Sequence, residues 1–394
     1  MVKKTGNHKL VKQINKSLVL DIIKSQNVIS RAEVSQRSGL NKGTVSALVQ
    51  ELIDSHFICE MGPGPSSGGR PPVMLSFNQR AGYSIGIDLG VNYILGILTD
   101  LQGNIVQEQY RKLTHFTFDR VVQQLIAVIE CLIDTTPDSN LGIIGIGIGV
   151  PGMVDPAGTI LFAPKFNWGS VNLKEKIADR FHFPVIIEND ANAGAYGEML
   201  YGAGKNISNL IYVGVGGGIG TGVILDHELY KGTQGIGGEM GHVTIEANGK
   251  RCRCGNRGCW ELYASESALL EAARQLPDFE KESELDMDRL VQAAHKGHPE
   301  ILHLLNQVGQ YLGVGLTTIV NTFNPEWIII GNRFSKIRDW IQDPIQRVLE
   351  QRLLPDHRKH LTVTFSALGI YSCALGSSSL PISNFFARDK VTVE

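Results

Sequence analysis

Gly238-Glu239-Met240-Gly241-His242, followed by Cys252-Arg253-Cys254-Gly255-Asn256-Arg257-Gly258-Cys259-Trp260-Glu261, is the densest concentration of chemistry in the 394-residue chain. Three thiolates and one imidazole make a closed tetrahedral set for Zn2+ with no position left for water, so a metal held by His242, Cys252, Cys254 and Cys259 is structural. Three reduced cysteines beside a surface histidine are the alternative. The spacing argues against it, although Cys-x-Cys is less typical of zinc than Cys-x-x-Cys. Glu239 and Glu261 stand at the two ends of this loop, and a metal that pins it aims both carboxylates at one spot.

On either side of the loop, short apolar runs alternate with helical stretches. Strands are predicted at residues 84–88, 94–99, 143–149, 185–187, 210–215 and 327–330, and helices at 118–133 and 304–323, an α/β pattern. Glycine-rich segments end three strands: Asp88-Leu89-Gly90, residues 145–152 and residues 214–222. Glycine there lets backbone amides approach a phosphate or a sugar, or makes a tight turn. A dinucleotide site is not supported, because no Gly-x-Gly-x-x-Gly opens a helix ahead of an acidic residue. Glu188-Asn189-Asp190-Ala191-Asn192 follows the strand at 185–187. Its polar groups suit hydrogen bonds to sugar hydroxyls, a general base, or a helix cap.

The first 80 residues differ from the rest. They hold 11 Lys/Arg against 5 Asp/Glu, whereas the remainder holds 26 against 34. A basic unit ahead of an acidic body points the front at a polyanion. Ile14, Leu18, Ile22 and Ile23 give a first helix an apolar face; Ser30-Arg31-Ala32-Glu33 is a capping box, and Gly39 stops the second helix. Asn41 caps a third helix that turns Val45, Leu48, Val49 and Leu52 inward. Arg31, Asn41, Lys42, Thr44, Ser46, Ala47 and Gln50 form the expected DNA-contacting set. Runs at 57–61 and 72–77 read as wing strands, with Arg70 at the tip for a narrow minor groove or, alternatively, as part of a flexible linker. No apolar span suits a membrane, and the first residues, with Lys3, Lys4 and Lys9, run into polar residues and not into the apolar region of a secretion signal, so no membrane partner and a cytoplasmic location are expected.

Cys-x-Cys-Gly-x-x-Gly-Cys-x-Glu at residues 252–261, Gly238-Glu239-x-Gly-His242, Val150-Pro151-Gly152 and Glu188-Asn189-Asp190 together resemble the ROK family of repressors and sugar kinases, over residues 14–394. The resemblance implies a winged helix-turn-helix (residues 1–80) ahead of a two-lobed, actin-like, sugar-kinase-like domain (residues 81–394, zinc loop 242–261), dimeric or tetrameric. It implies a cleft sugar contacted by Asn167, Asn189, Asp190, Glu239, His242 and Glu261, with His242 binding zinc through its second ring nitrogen. In the family's kinases the residue matching Asp190 is the catalytic base.

The kinase phosphate loop Asp-x-Gly-Gly-Thr is replaced by Asp88-Leu89-Gly90-Val91-Asn92, Gly217 stands where kinases carry Thr, and a late Gly-Gly-Gly reads Gly331-Asn332-Arg333. The expectation is therefore a non-enzyme whose Asp190 accepts a hydrogen bond from the ligand. Within the family, residues 66–75, 81–88 and 259–266 most resemble repressors that answer to D-xylose, and that resemblance alone names the sugar. It implies a homodimer, or tetramer, that binds operator DNA and is released by D-xylose. A sugar kinase with an added DNA-binding unit, or a repressor governed by another sugar or a protein partner, are the alternatives.

Overall fold

Three helices and a small sheet form the front of the molecule: α1 (His8–Lys24), β1 (Ile29–Ser30), α2 (Arg31–Ser38), α3 (Lys42–Asp54), β2 (Ile58–Pro63) and β3 (Val73–Phe77). The computed structural model describes residues 8–65, 71–280, 282 and 285–387; the wing tip with Arg70 lies outside the described residues. Glu33 N–H donates to Ser30 Oγ (3.2 Å) and Ser30 N–H donates to the Glu33 carboxylate (2.8 Å), so the capping box satisfies donors that the first turn of α2 leaves open. Gly39 ends α2 in the left-handed region, and Asn41 Oδ1 accepts from Thr44 N–H at 2.8 Å to start α3. β3 lies between β1 and β2, both antiparallel to it, completing a winged helix-turn-helix.

Two details differ from the sequence reading. Leu18 is exposed, and the buried face of α1 is Val19, Leu20 and Ile23, because the helix packs one position further round. Ser30, read only as a helix cap, also forms with Ile29 a short strand that pairs with Met74 and Leu75. A two-residue strand has no periodicity to detect.

The body holds two five-stranded sheets. Lobe I contains β4 (Tyr83–Leu89), β5 (Tyr93–Asp100), β6 (Ile105–Lys112), α4 (Phe118–Asp134), β7 (Ile143–Val150), the hairpin β8 (Met153–Val154) and β9 (Ile160–Phe162), α5 (Leu173–Phe181), β10 (Val185–Asn189) and α6 (Asp190–Tyr201). Its sheet order is β10-β7-β4-β5-β6. Lobe II contains β11 (Leu210–Val215), β12 (Ile219–Leu225), β13 (Glu228–Tyr230), α7 (Glu261–Ala264), α8 (Glu266–Ala273), α9 (Met287–His295), α10 (Pro299–Phe323), β14 (Trp327–Gly331), α11 (Arg338–Arg352), α12 (Pro355–His360) and β15 (Thr362–Phe365); the chain closes with α13 (Ser372–Ala387). The second sheet runs β13-β12-β11-β14-β15.

α13 packs on β4 and β7, α6 on β11 and β12, and the two helices pack on each other between the sheets. This is the two-lobed, actin-like arrangement, and it leaves the strand ends of both sheets facing one cleft. No helix among the described residues is long and apolar enough to cross a membrane. Replacing Ser30 with Ala should remove the cap of α2 and lower unfolding stability by about 1 kcal/mol. Denaturant unfolding followed by circular dichroism checks this.

Candidate ligand cleft and metal cluster

The cleft is built from chain reversals at strand ends. Asp88 closes β4, Pro151 and Gly152 follow β7, Asn189 and Asp190 join β10 to α6, and residues 216–218 join β11 to β12. Glu239, His242 and Glu261 complete the lining from lobe II. Asn189 is committed internally: its Oδ1 accepts from the Ala191 and Asn192 amides at 3.0 Å, and its Nδ2 donates to Gly152 O at 3.1 Å. It caps α6 and ties the two reversals together. Asp190 Oδ1 accepts from the Ala191 amide at 2.9 Å, and the carboxylate lines the cavity. Burial, reinforced by the nearby Asp88 and Glu239 carboxylates, pushes Asp190 up to about 7. Asp88 is raised to about 6, mainly by burial, against the hydrogen bond it receives from Tyr93. Near neutral pH Asp190 therefore both donates and accepts, which suits hydroxyl groups that do the same.

The ligand atoms of His242, Cys252, Cys254 and Cys259 all lie within 4.8 Å of one another. Cys254 Sγ is 3.7 Å from Cys259 Sγ, and Cys252 Sγ is 3.7 Å from His242 Nδ1. A tetrahedral ion with bonds of about 2.1 to 2.3 Å separates its ligands by roughly 3.6 to 3.8 Å, so the four residues fit a metal. Gly258 makes the turn possible: its φ is 69°, and a Cβ there would lie 1.8 Å from Glu246 O. Burial and the neighbouring sulfurs push the Cys259 thiol up, crowding that a bound dication relieves by taking the thiolates as ligands. Trp260 then anchors the loop's end, donating to Tyr311 O at 2.9 Å and lying against Gly315 of α10. Glu261 Oε1 consequently sits 3.7 Å from His242 Nδ1, at the join between cluster and cleft.

Opposite Glu239 and Glu261, the cleft is bridged by the protein's own side chains. Tyr93 donates to Asp88 Oδ2 at 2.6 Å, and its ring lies so close to Gly90 that a Cβ there would be 2.1 Å from it. Arg333 of lobe II lies 5.3 Å from the centre of that ring, pairs with Glu266 at 3.0 Å and reaches Asn92 Oδ1 at 3.4 Å. On the front unit, Lys42, Ser46, Ala47 and Gln50 are exposed on α3, and Thr44 is half-buried. Arg31 is paired with Glu60 of β2 at 2.9 Å, Gln50 donates to Asp54, and Asn41 is the cap of α3.

Residues 84–383 match the ROK family. The chain belongs to the ROK family. It is 45% identical to the xylose repressor of Bacillus subtilis (strain 168) over 97% of this chain and 98% of that one. A ROK transcriptional regulator described as a homologue of the E. coli MLC protein superposes with a TM-score of 0.80 at 28% identity, covering 96% of this chain and 97% of that one. A ROK glucokinase from Streptomyces griseus, solved with glucose and AMPPNP, superposes with a TM-score of 0.70 at 30% identity, covering 76% of this chain and 99% of that one.

The ROK cleft of this chain gathers Asn189, Asp190, Glu239, His242 and Glu261 but not Asn167, which is exposed with a φ of 56° and does not line the cavity. The loop after β9 instead sends in Lys165, which sequence reasoning missed. Its Nζ donates to Gly217 O at 3.1 Å and lies 3.8 Å from Glu261 Oε2, so it reaches across from lobe I to lobe II. No local spacing marks Lys165, since the backbone turn at Asn167 decides which of the two points inward.

The raised carboxylates have a consequence for stability. Unfolded Asp titrates near pH ~3.9, so the folded protein binds these protons more tightly; the resulting stabilisation is complete below that pH and is lost as pH rises through about 6 for Asp88 and 7 for Asp190. Melting temperature should therefore fall between pH 6 and 8. Asp190→Asn, which cannot ionise, should melt higher than the native protein at pH 8 and show a shallower slope. A scanning calorimetry series in matched buffers checks both.

Proposed function

We propose that this ROK protein is a transcriptional repressor of xylose-utilisation genes, a homodimer or tetramer that acts in the cytoplasm, binds operator DNA and is released by D-xylose. One observation carries the reading: the chain joins an exposed recognition helix to a sugar-type cleft lined by Asp190, Glu239, His242 and Glu261 and, across the lobes, by Tyr93 and Arg333. The 45% identity to the Bacillus subtilis xylose repressor along nearly the whole chain supports the choice of sugar. Lys42, Thr44, Ser46, Ala47 and Gln50 are the residues to enter a major groove, and Arg70 the one for the adjacent minor groove. Arg31 and Asn41 act through Glu60 and the helix cap.

The protein is not a kinase in this reading. A kinase phosphate loop carries a second glycine and a hydroxyl where this chain has Val91 and Asn92, and a pentopyranose lacks the exocyclic hydroxymethyl that a base at Asp190 would activate. Sugar hydroxyls engage Asp190, Glu239, Glu261 and His242, with Lys165 as an added donor. Release follows because D-xylose favours the conformation that binds DNA poorly, and a ligand shifts an equilibrium only by its differential affinity.

The cluster of His242 and three cysteines takes zinc in this reading, and its role is to hold Glu239, His242 and Glu261 in one orientation. Elemental analysis should find one zinc per chain. Cys254→Ser should lower that content and remove the rise in melting temperature caused by D-xylose, while operator binding persists. A metal-free protein that still responds fully to the sugar would refute the assignment.

The function itself is tested by fluorescence anisotropy with a duplex from a xylose-operon promoter, at fixed salt because phosphate contacts make affinity salt-dependent. D-xylose, but not arabinose, should weaken binding by about 5- to 150-fold, the usual range of allosteric coupling. Tight binding indifferent to D-xylose would move the assignment to another sugar or to a protein partner, and sugar-dependent ATP turnover would restore the kinase reading that the glucokinase likeness favours.

A further inference from the structure

α13 begins in the cleft and ends in the DNA-binding unit. Cys373, in its first turn, lines the cavity beside Asp88, and Ser372 donates to the buried Glu198 carboxylate at 2.7 Å, which ties this end to α6, the helix that starts at Asp190. Along its length there is no slack. A Cβ on Gly86 would lie 2.1 Å from Ala374 O, one on Gly147 1.9 Å from Ser377 O, and one on Gly376 1.7 Å from Ala193 O, so the helix backbone is in direct contact with the lobe I sheet on one side and with α6 on the other. Side-chain bonds add to this, from Ser84 Oγ to Ser378 O (2.7 Å) and between Ser383 and Tyr196 (2.8 Å).

At the far end Ile382 is buried in the same hydrophobic cluster as Val49, Leu52 and Leu75 of the winged unit. Phe385 and Phe386 pack against Phe57 at centroid distances of 6.0 and 5.6 Å, Phe386 meets Phe77 at 6.3 Å, and the Lys24 ammonium lies 4.8 Å from the Phe386 ring centre. These partners are the end of α1, the residue that enters β2 and the last residue of β3, so the aromatic pair grips the base of the wing and of the first helix together.

We propose that α13 is the shaft through which occupancy of the cleft reaches the DNA-binding unit, and that Phe386, with Phe385, is the positioning residue that sets that unit's orientation. α6 rides on the lobe II sheet and α13 on the lobe I sheet, so any change in lobe closure must be taken up where these helices cross. A close-packed crossing between backbones passes a displacement on instead of absorbing it. The inference rests on the sugar-released repressor reading above, and it assigns the route of that release.

The test uses the full-length, zinc-loaded protein, with operator affinity from anisotropy and D-xylose affinity from the ligand-dependent melting shift. Phe386→Ala should keep sugar affinity within about twofold yet reduce the sugar-induced change in operator affinity to below about twofold; Phe386→Leu, which keeps most of the packing, should retain an intermediate response. If Phe386→Ala loses operator binding altogether, the Leu variant decides, and a full native response in it overturns the route. Gly376→Ala, which wedges α13 away from α6, should shift operator affinity without sugar by at least about fivefold; a folded, sugar-binding Gly376→Ala protein with native operator affinity also overturns it. A native protein whose operator binding ignores D-xylose defeats the repressor reading itself, an outcome distinct from a responsive native protein with equally responsive variants.

Discussion

Two helices lie between two sheets in this protein, and they fit only because backbone touches backbone. Gly86, Gly147, Gly197 and Gly376 stand where any Cβ would enter a neighbouring main chain. That constraint brings α6 and α13 together, and with them the strand ends that carry Asp88 and Asp190. Both carboxylates are then buried side by side, which raises both above the ordinary carboxylate range. The close crossing that assembles the cleft is thus also the source of its electrostatic character.

The two halves of the cleft have been put to different uses. On one side, a loop shaped by a metal-sized cluster presents Glu239, His242 and Glu261. On the other, Arg333, paired with Glu266 in its own lobe, reaches the Tyr93 ring and Asn92 Oδ1 of lobe I. The cation–π contact from Arg333 to Tyr93 and the hydrogen bond from Arg333 to Asn92 cross between lobes and stabilise a particular closure, which a bound ligand can strengthen or oppose. Lys165 makes a third crossing at the sugar end. The interlobe angle is therefore held by polar contacts that a hydroxylated ligand competes with, whereas each lobe's interior is apolar and rigid.

The winged unit does not hang from a flexible tether. Its core continues through Ala81 into Leu101 and Ile144 of the body and into Ile382 of α13. Buried apolar contact of this kind fixes orientation, so the face presented by α3 is set by the body. Motion within the body and the pose of the recognition helix become one problem, which is what a ligand-controlled DNA-binding protein requires.

Local chemistry was legible in the sequence. The Ser30–Glu33 box, the Asn41 cap, the inward face of α3, the strand at 210–215 and the cluster of His242 with three cysteines depend on residue type at short spacing, and each is present in the structure. Long-range pairing was not. β6 is exposed on nearly all its residues and shows no alternation, and α13 is apolar or small all round with Pro381 inside it, so neither carries a period that marks it. Whether Lys165 or Asn167 turns into the cleft was decided by a left-handed turn at Asn167. That Arg333 reaches Tyr93 and Asn92, and that Phe386 reaches Phe57 and Phe77, depends on residues hundreds of positions apart meeting in space. By itself the sequence determined the capped helices, the ligand set and the family. Tertiary packing alone decided which polar groups are paired, which carboxylates are desolvated and which helix joins the two ends, because those properties belong to contacts between distant segments and not to any one of them.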